Sequence, residues 1–72
     1  MYSRTTCGLC DAAREVILGE REGTEFAYAE VFIDGDDKLE LEYGLRVPVV
    51  EIDGEVAFEA EVEPVQLRRL LR

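Results

Sequence analysis

Any fold for this chain has to accommodate Cys7-Gly8-Leu9-Cys10, set between a polar turn, Arg4-Thr5-Thr6, and a helical pattern. From Cys10 to Leu18 the apolar positions are Cys10, Ala13, Val16 and Ile17. They form one face of a helix, with Asp11, Arg14 and Glu15 turned outward. Gly19 reads as the stop. Ahead of the turn stand only Met1, Tyr2 and Ser3. They allow a first strand of about 10 Å, at the usual rise of about 3.3 Å per residue. Either the first strand is unusually short or the natural start lies further upstream, and low stability is expected. The cysteine pair is thus expected at a junction between a strand end and a helix start.

That junction has a definite chemistry. With Cys7 at the N-cap, its sulfur faces the free N–H groups of Leu9 and Cys10. Those donors and the positive helix end favour a thiolate over a thiol. A free cysteine has a pKa near 8.5, and sites of this kind lower it to roughly 3.5–7.5. Cys7 is then the expected nucleophile. Cys10, one turn later and facing inward, is the expected resolving thiol. Gly8 eases the turn, and Leu9 gives the exposed rim an apolar contact. Arg4, on the same loop, is a candidate to place positive charge beside the thiolate or to hold a substrate carboxylate. An exposed surface arginine is the alternative. Thr6, next to Cys7, is a candidate substrate contact.

Composition narrows the alternatives. The chain has 72 residues, which is one small domain spanning 1–72. Apolar residues make up 47%, enough to exclude disorder as the default despite 35% charge. The net charge is −9, from 17 acids against 8 bases, with Lys38 the one lysine. A basic footprint is missing, so nucleic acid and anionic membrane surfaces are not the expected partners. No apolar run approaches the roughly 20 residues of a membrane span, and no leader precedes the domain, so a cytoplasmic protein is expected. The chain has no histidine, which excludes Ser–His–Asp and Cys–His catalysis. Two thiols without an imidazole make zinc or an iron–sulfur cluster possible only if two chains share it. No metal site within one chain is expected. An inert buried pair is the remaining alternative.

The rest of the chain alternates strand and helix signals. Glu25 to Ile33 is rich in aromatic and β-branched residues and reads as a strand. Asp34-Gly35-Asp36-Asp37 is a turn that leaves Asp36 as a helix cap. Leu39 to Tyr43 alternates like a strand, yet Leu39 and Tyr43 stand i,i+4 apart with Gly44 behind. A short helix is expected there. Val47 to Ile52 reads as a strand, Asp53-Gly54 as a type I′ hairpin turn, and Glu55 to Phe58 as the returning strand. Pro64 opens a last helix with Leu67, Leu70 and Leu71 as its apolar stripe. Arg68, Arg69 and Arg72 gather at its C-terminal end, where cations suit the dipole. The order is β-α-β-α-β-β-α.

Cys7–Cys10, followed later by Arg46-Val47-Pro48, resembles the glutaredoxin-like branch of the thioredoxin superfamily. The likeness runs from Tyr2 to about Leu71. The resemblance implies an α/β thioredoxin-like fold: a four-stranded mixed sheet, helices on both faces, and a short first strand. It also implies a cis Val47–Pro48 bond lying against the cysteines. That bond would turn the Val47 backbone N–H and C=O toward a bound peptide or thiol. Arg4 falls where the family carries a lysine for a carboxylate of glutathione. Phe58-Glu59 stands where the family has Gly-Gly, with Glu61 following. Those side chains would block close backbone approach. Phe58 reads as core and Glu61 as a solvated acid.

The expected function is that of a small dithiol oxidoreductase, an enzyme acting on protein or low-molecular-weight disulfides. No cofactor is expected, and glutathione or another low-molecular-weight thiol is the candidate electron donor. A monomer is expected. The runner-up is a non-catalytic thioredoxin-fold adaptor docking through the same surface. A metal-transfer protein carrying Cu(I) comes third.

Overall fold

In the computed structural model, which describes residues 1–71, the chain forms four strands and three helices. In order they are β1 (Tyr2–Ser3), α1 (Gly8–Glu20), β2 (Val31–Phe32), α2 (Asp37–Tyr43), β3 (Val49–Ile52), β4 (Glu55–Glu59) and α3 (Pro64–Leu70). The strands lie in the order β2-β1-β3-β4. β1 runs parallel to β2 and antiparallel to β3, and β4 closes a hairpin on β3. The sheet is mixed and the expected element order holds throughout. Arg72, read with the basic cluster of the last helix, lies outside the described residues.

Strand alternation divides the two faces. Ser3 is fully buried and donates to Glu30 at 2.6 Å. Glu30 in turn holds Arg14 of α1, so Ser3 faces α1. Tyr2 points the other way and stacks on Tyr43 at the end of α2, with ring centroids 4.1 Å apart. The main core lies on the α1 side. Ala13 and Ile17 of α1, Val50 of β3, Val62, and Leu67 of α3 pack together there, flanked by Phe26, Ile52 and Phe58. Phe58 is core, as expected from the sequence.

Each helix starts on a side-chain acceptor. Cys7 caps α1, Asp36 accepts the Leu39 N–H for α2, and Glu63 accepts the Gln66 N–H for α3, with Pro64 in the first turn. The hairpin turn has positive φ at both Asp53 (52°) and Gly54 (85°), as a type I′ turn requires. Far from β1, Glu20 at the end of α1 accepts Arg68 of α3 at 2.9 Å, and this pairing holds the Glu20 carboxyl below its usual range.

Several boundaries differ from the sequence reading, β4 among them, which runs one residue past Phe58 to Glu59. α1 runs through Gly19 to Glu20 and stops at Arg21, so Gly19 is not the stop. A helical glycine costs about 1 kcal/mol relative to alanine. Beyond it, Glu20 is anchored on Arg68 of α3. The second strand is Val31–Phe32, not Glu25–Ile33. A strand needs a partner, and β1 offers two residues. Pairing extends one residue further at each end, through Val31 N–H to the Met1 carbonyl and Ile33 N–H to the Ser3 carbonyl. The Met1 ammonium then donates to the Ala29 carbonyl at 2.7 Å. Glu25 to Tyr28 has no strand to join. The third strand begins at Val49 rather than Val47, because Pro48 has no N–H to give the ladder and the Val47 N–H is used elsewhere.

Candidate active site

One end of the sheet collects everything the site needs. β1 leaves that end toward Cys7, while antiparallel β3 enters there through Val47-Pro48. β4 leaves at the same end, where Ala60 N–H donates to the Pro48 carbonyl at 2.9 Å. β2 also leaves there toward Asp34. The Asp34 carboxylate accepts both the Thr5 backbone N–H (3.0 Å) and the Thr5 hydroxyl (3.1 Å). This bidentate latch fixes the loop that presents Cys7.

Cys7 is the N-cap of α1, with extended backbone at φ −150° and ψ 104°. Its Sγ accepts the Cys10 backbone N–H at 3.1 Å. The two cysteines form a disulfide with Cα atoms 5.2 Å apart. Their exposure is unequal: Cys10 is fully buried and Cys7 is partly open to solvent. A thiolate on Cys7 would sit at the positive end of a 13-residue helix with one N–H already aimed at it. The geometry therefore distinguishes an accessible sulfur from a protected one.

The other sequence candidates fall as follows. Val47–Pro48 is cis, as the resemblance implied. Pro48 is buried and Val47 half-buried. The expectation that both polar groups of the Val47 backbone turn toward a partner is corrected for one of them. The Val47 N–H donates to the Tyr43 carbonyl at 3.1 Å, which also accepts the Arg46 N–H at 2.8 Å. The closing turn of α2 consumes that donor. Leu9 is half-exposed on the rim, as expected. Thr6 is exposed, and it is Thr5 rather than Thr6 that is tied down. Arg4 leans onto α2, with its guanidinium 3.8 Å from the Glu40 carboxylate and its Nε buried without a partner. Its one ion-pair partner among the described residues is thus on α2.

Sequence reasoning missed three contributors. In sequence Asp34 is simply part of a turn, and nothing local reveals a latch 29 residues from Thr5. Arg46 places its guanidinium 5.5 Å from the Tyr43 ring centre and pairs with both Glu59 and Glu42. Tyr2, Tyr43, Arg46 and Glu59 thereby lace β1, α2, the Pro48 turn and β4 together beneath the site. Ala60 has φ of +66°, with the Glu61 N–H donating to the Glu59 carbonyl at 2.7 Å around it. That tight turn sends the chain from β4 past Leu9. Between α1 and this segment lies an open groove of about 220 Å³ lined by Leu9, Ala12, Val16, Ala60, Glu61 and Val62.

Among the described residues, no helix is long and apolar enough to cross a membrane. A comparison with curated proteins finds no match. Among solved structures, the chain is similar to the X-ray structure of Northeast Structural Genomics target protein XcR50 from X. campestris. The TM-score is 0.82 and the identity 39%, over 97% of this chain and 89% of that one. The family profile of the glutaredoxin-like domain (DUF836) matches residues 1–72. A cysteine pair at the head of α1, a cis proline at the same sheet end and a profile match over the full length agree, and the chain belongs to this glutaredoxin-like family of the thioredoxin superfamily.

Proposed function

We propose that the protein is a dithiol oxidoreductase that reduces disulfides through Cys7 and Cys10. The observation that carries this reading is the inequality at the head of α1. Cys7 is reachable and receives the Cys10 N–H at 3.1 Å, while Cys10 is fully buried one turn behind. In the reduced protein the Cys7 thiolate attacks one sulfur of a substrate disulfide. A mixed disulfide forms and the first substrate thiolate leaves, taking a proton from water. Cys10 then loses its proton, and its thiolate attacks the Cys7 sulfur. The Cys7–Cys10 disulfide closes and the second substrate thiolate departs. Two electrons pass from the protein to the substrate. A low-molecular-weight thiol returns them, and no bound cofactor takes part. In this reading the protein works as a monomer in the cytoplasm, and the Val47–Pro48 turn and Leu9 border the bound substrate.

The two cysteines have separable roles, which variants resolve. Cys7→Ser is expected to lose turnover of 2-hydroxyethyl disulfide entirely. Cys10→Ser is expected to attack once and accumulate a mixed disulfide, visible as a mass increase of one substrate half. Full turnover in Cys7→Ser would contradict the proposal.

A further inference from the structure

Glutathione disulfide, a tripeptide dimer rich in carboxylates, needs cations at the site. Three arginines of the domain already pair with the protein's own carboxylates. Arg4 faces Glu40, Arg14 faces Glu30 and Asp11, and Arg46 faces Glu59 and Glu42. The Val47 N–H is bonded to Tyr43. The chain as a whole carries −9.

The groove beside Leu9 offers the opposite chemistry. Its walls are apolar except for Glu61, whose side chain has no basic partner among the described residues. At about 220 Å³ it is smaller than the roughly 300–1,000 Å³ of small-molecule pockets, and suits a single apolar side chain. Leu45, in the turn leading into Val47-Pro48, is a second exposed apolar side chain near this end of the sheet.

Resting on the exchange chemistry above, we infer that the substrate is a protein disulfide whose reacting cysteine is flanked by an apolar residue and a Lys or Arg. The apolar side chain fills the groove between Leu9 and Val62, and the cation meets Glu61. The reaction is the two-step exchange already described, with the released substrate cysteines reduced.

Single-turnover reduction of defined disulfides by the reduced protein tests this. The substrates are disulfide-linked dimers of short capped peptides carrying Leu and Lys, Leu and Glu, or Ser and Lys beside one cysteine. Glutathione disulfide and neutral 2-hydroxyethyl disulfide complete the set. Each rate is divided by that of dithiothreitol on the same disulfide, which removes intrinsic reactivity. The Leu/Lys peptide is expected to react about tenfold faster than Leu/Glu or glutathione disulfide at low salt. The Leu/Lys-to-Leu/Glu ratio should shrink to about twofold near 1 M salt, where screening acts within about 3 Å. The Leu/Lys peptide should also outpace Ser/Lys at both salts, which reports the groove. E61K and E61Q should lower the Leu/Lys-to-Leu/Glu ratio. E22K, the same charge change on an exposed residue beyond α1, should leave it near the parent value. Equal or faster reduction of glutathione disulfide or the Leu/Glu peptide overturns the inference, as does a ratio untouched by E61K. Failure to reduce any disulfide, the neutral one included, instead overturns the exchange chemistry itself.

Discussion

At the scale of single residues, Cys7 and Cys10 illustrate how one helix start can give two identical side chains different surroundings. The N-cap position exposes the first sulfur to solvent and to the N–H of the second residue, while the helical turn buries the other. Both positions were legible from spacing alone, because a Cys-x-x-Cys ahead of an amphipathic pattern leaves little choice of register. Ala60 was not legible, since nothing about an alanine announces a positive φ. Its conformation costs about 1–2 kcal/mol for a residue with a Cβ. Glycine would remove that cost at an entropic loss of about 0.5–1 kcal/mol. Ala60→Gly should therefore be neutral or stabilise the fold by up to about 1 kcal/mol. Ala57→Gly, within β4, should destabilise it by about 0.5–1 kcal/mol. Urea midpoints of the two variants check this. Equal destabilisation by both would contradict the account of the Ala60 turn.

At the scale of elements, the short first strand governs what surrounds it. The sequence places β1 at Met1–Ser3, and two residues of it pair. The consequence for β2 was missed, because a strand-like composition from Glu25 to Ile33 says nothing about whether a partner exists alongside. Side chains take over where the ladder is short. Glu30 accepts Arg14, Ser3 and Tyr28, joining β1, α1 and the approach to β2. Hydrogen bonds from Arg14 hold its carboxyl at about 2, against 4.5 ordinarily, with Ser3 and Tyr28 adding to the effect and burial opposing it. Burial and the Glu30 carboxylate push the Tyr28 hydroxyl up to about 12. A depressed carboxyl contributes stability above its unfolded pKa and loses it as pH falls through the folded one. Glu30 should therefore stabilise the fold fully above pH 4.5 and progressively less toward pH 2. Glu30→Gln should cost about 1–3 kcal/mol at neutral pH, with the gap to the parent narrowing near the acid end. Urea unfolding at several pH values measures it. A gap that stays constant down the pH range would contradict the role given to Glu30.

At the scale of the whole molecule, charge acts in two directions. The ion pairs on the surface are each worth about 0–1 kcal/mol, and salt weakens them. Against them stands the self-repulsion of a chain with 17 acids and 8 bases. The surplus of nine negative charges outweighs a few exposed pairs, so screening should help the fold. The thermal midpoint should rise by several degrees as sodium chloride goes from about 0.05 to about 0.5 M, where the Debye length falls below roughly 5 Å. A falling midpoint would show that attractive pairs dominate. The topology itself was legible because turn chemistry at Asp34–Asp37 and Asp53-Gly54 separates the elements cleanly. The contacts that gather the site were not, because Thr5–Asp34 and Arg46–Glu59 join residues far apart in the chain.

The proposed exchange chemistry requires Cys7 and Cys10 to interconvert reversibly between dithiol and disulfide at a potential useful for exchange. It is tested most directly by equilibrating the protein across dithiothreitol or glutathione ratios, alkylating the free thiols and weighing the products. The expected result is a two-electron transition at about −180 to −270 mV, the range spanned by protein disulfide isomerase and thioredoxin. A disulfide that resists reduction until below about −300 mV, or no reversible disulfide at all, would contradict it.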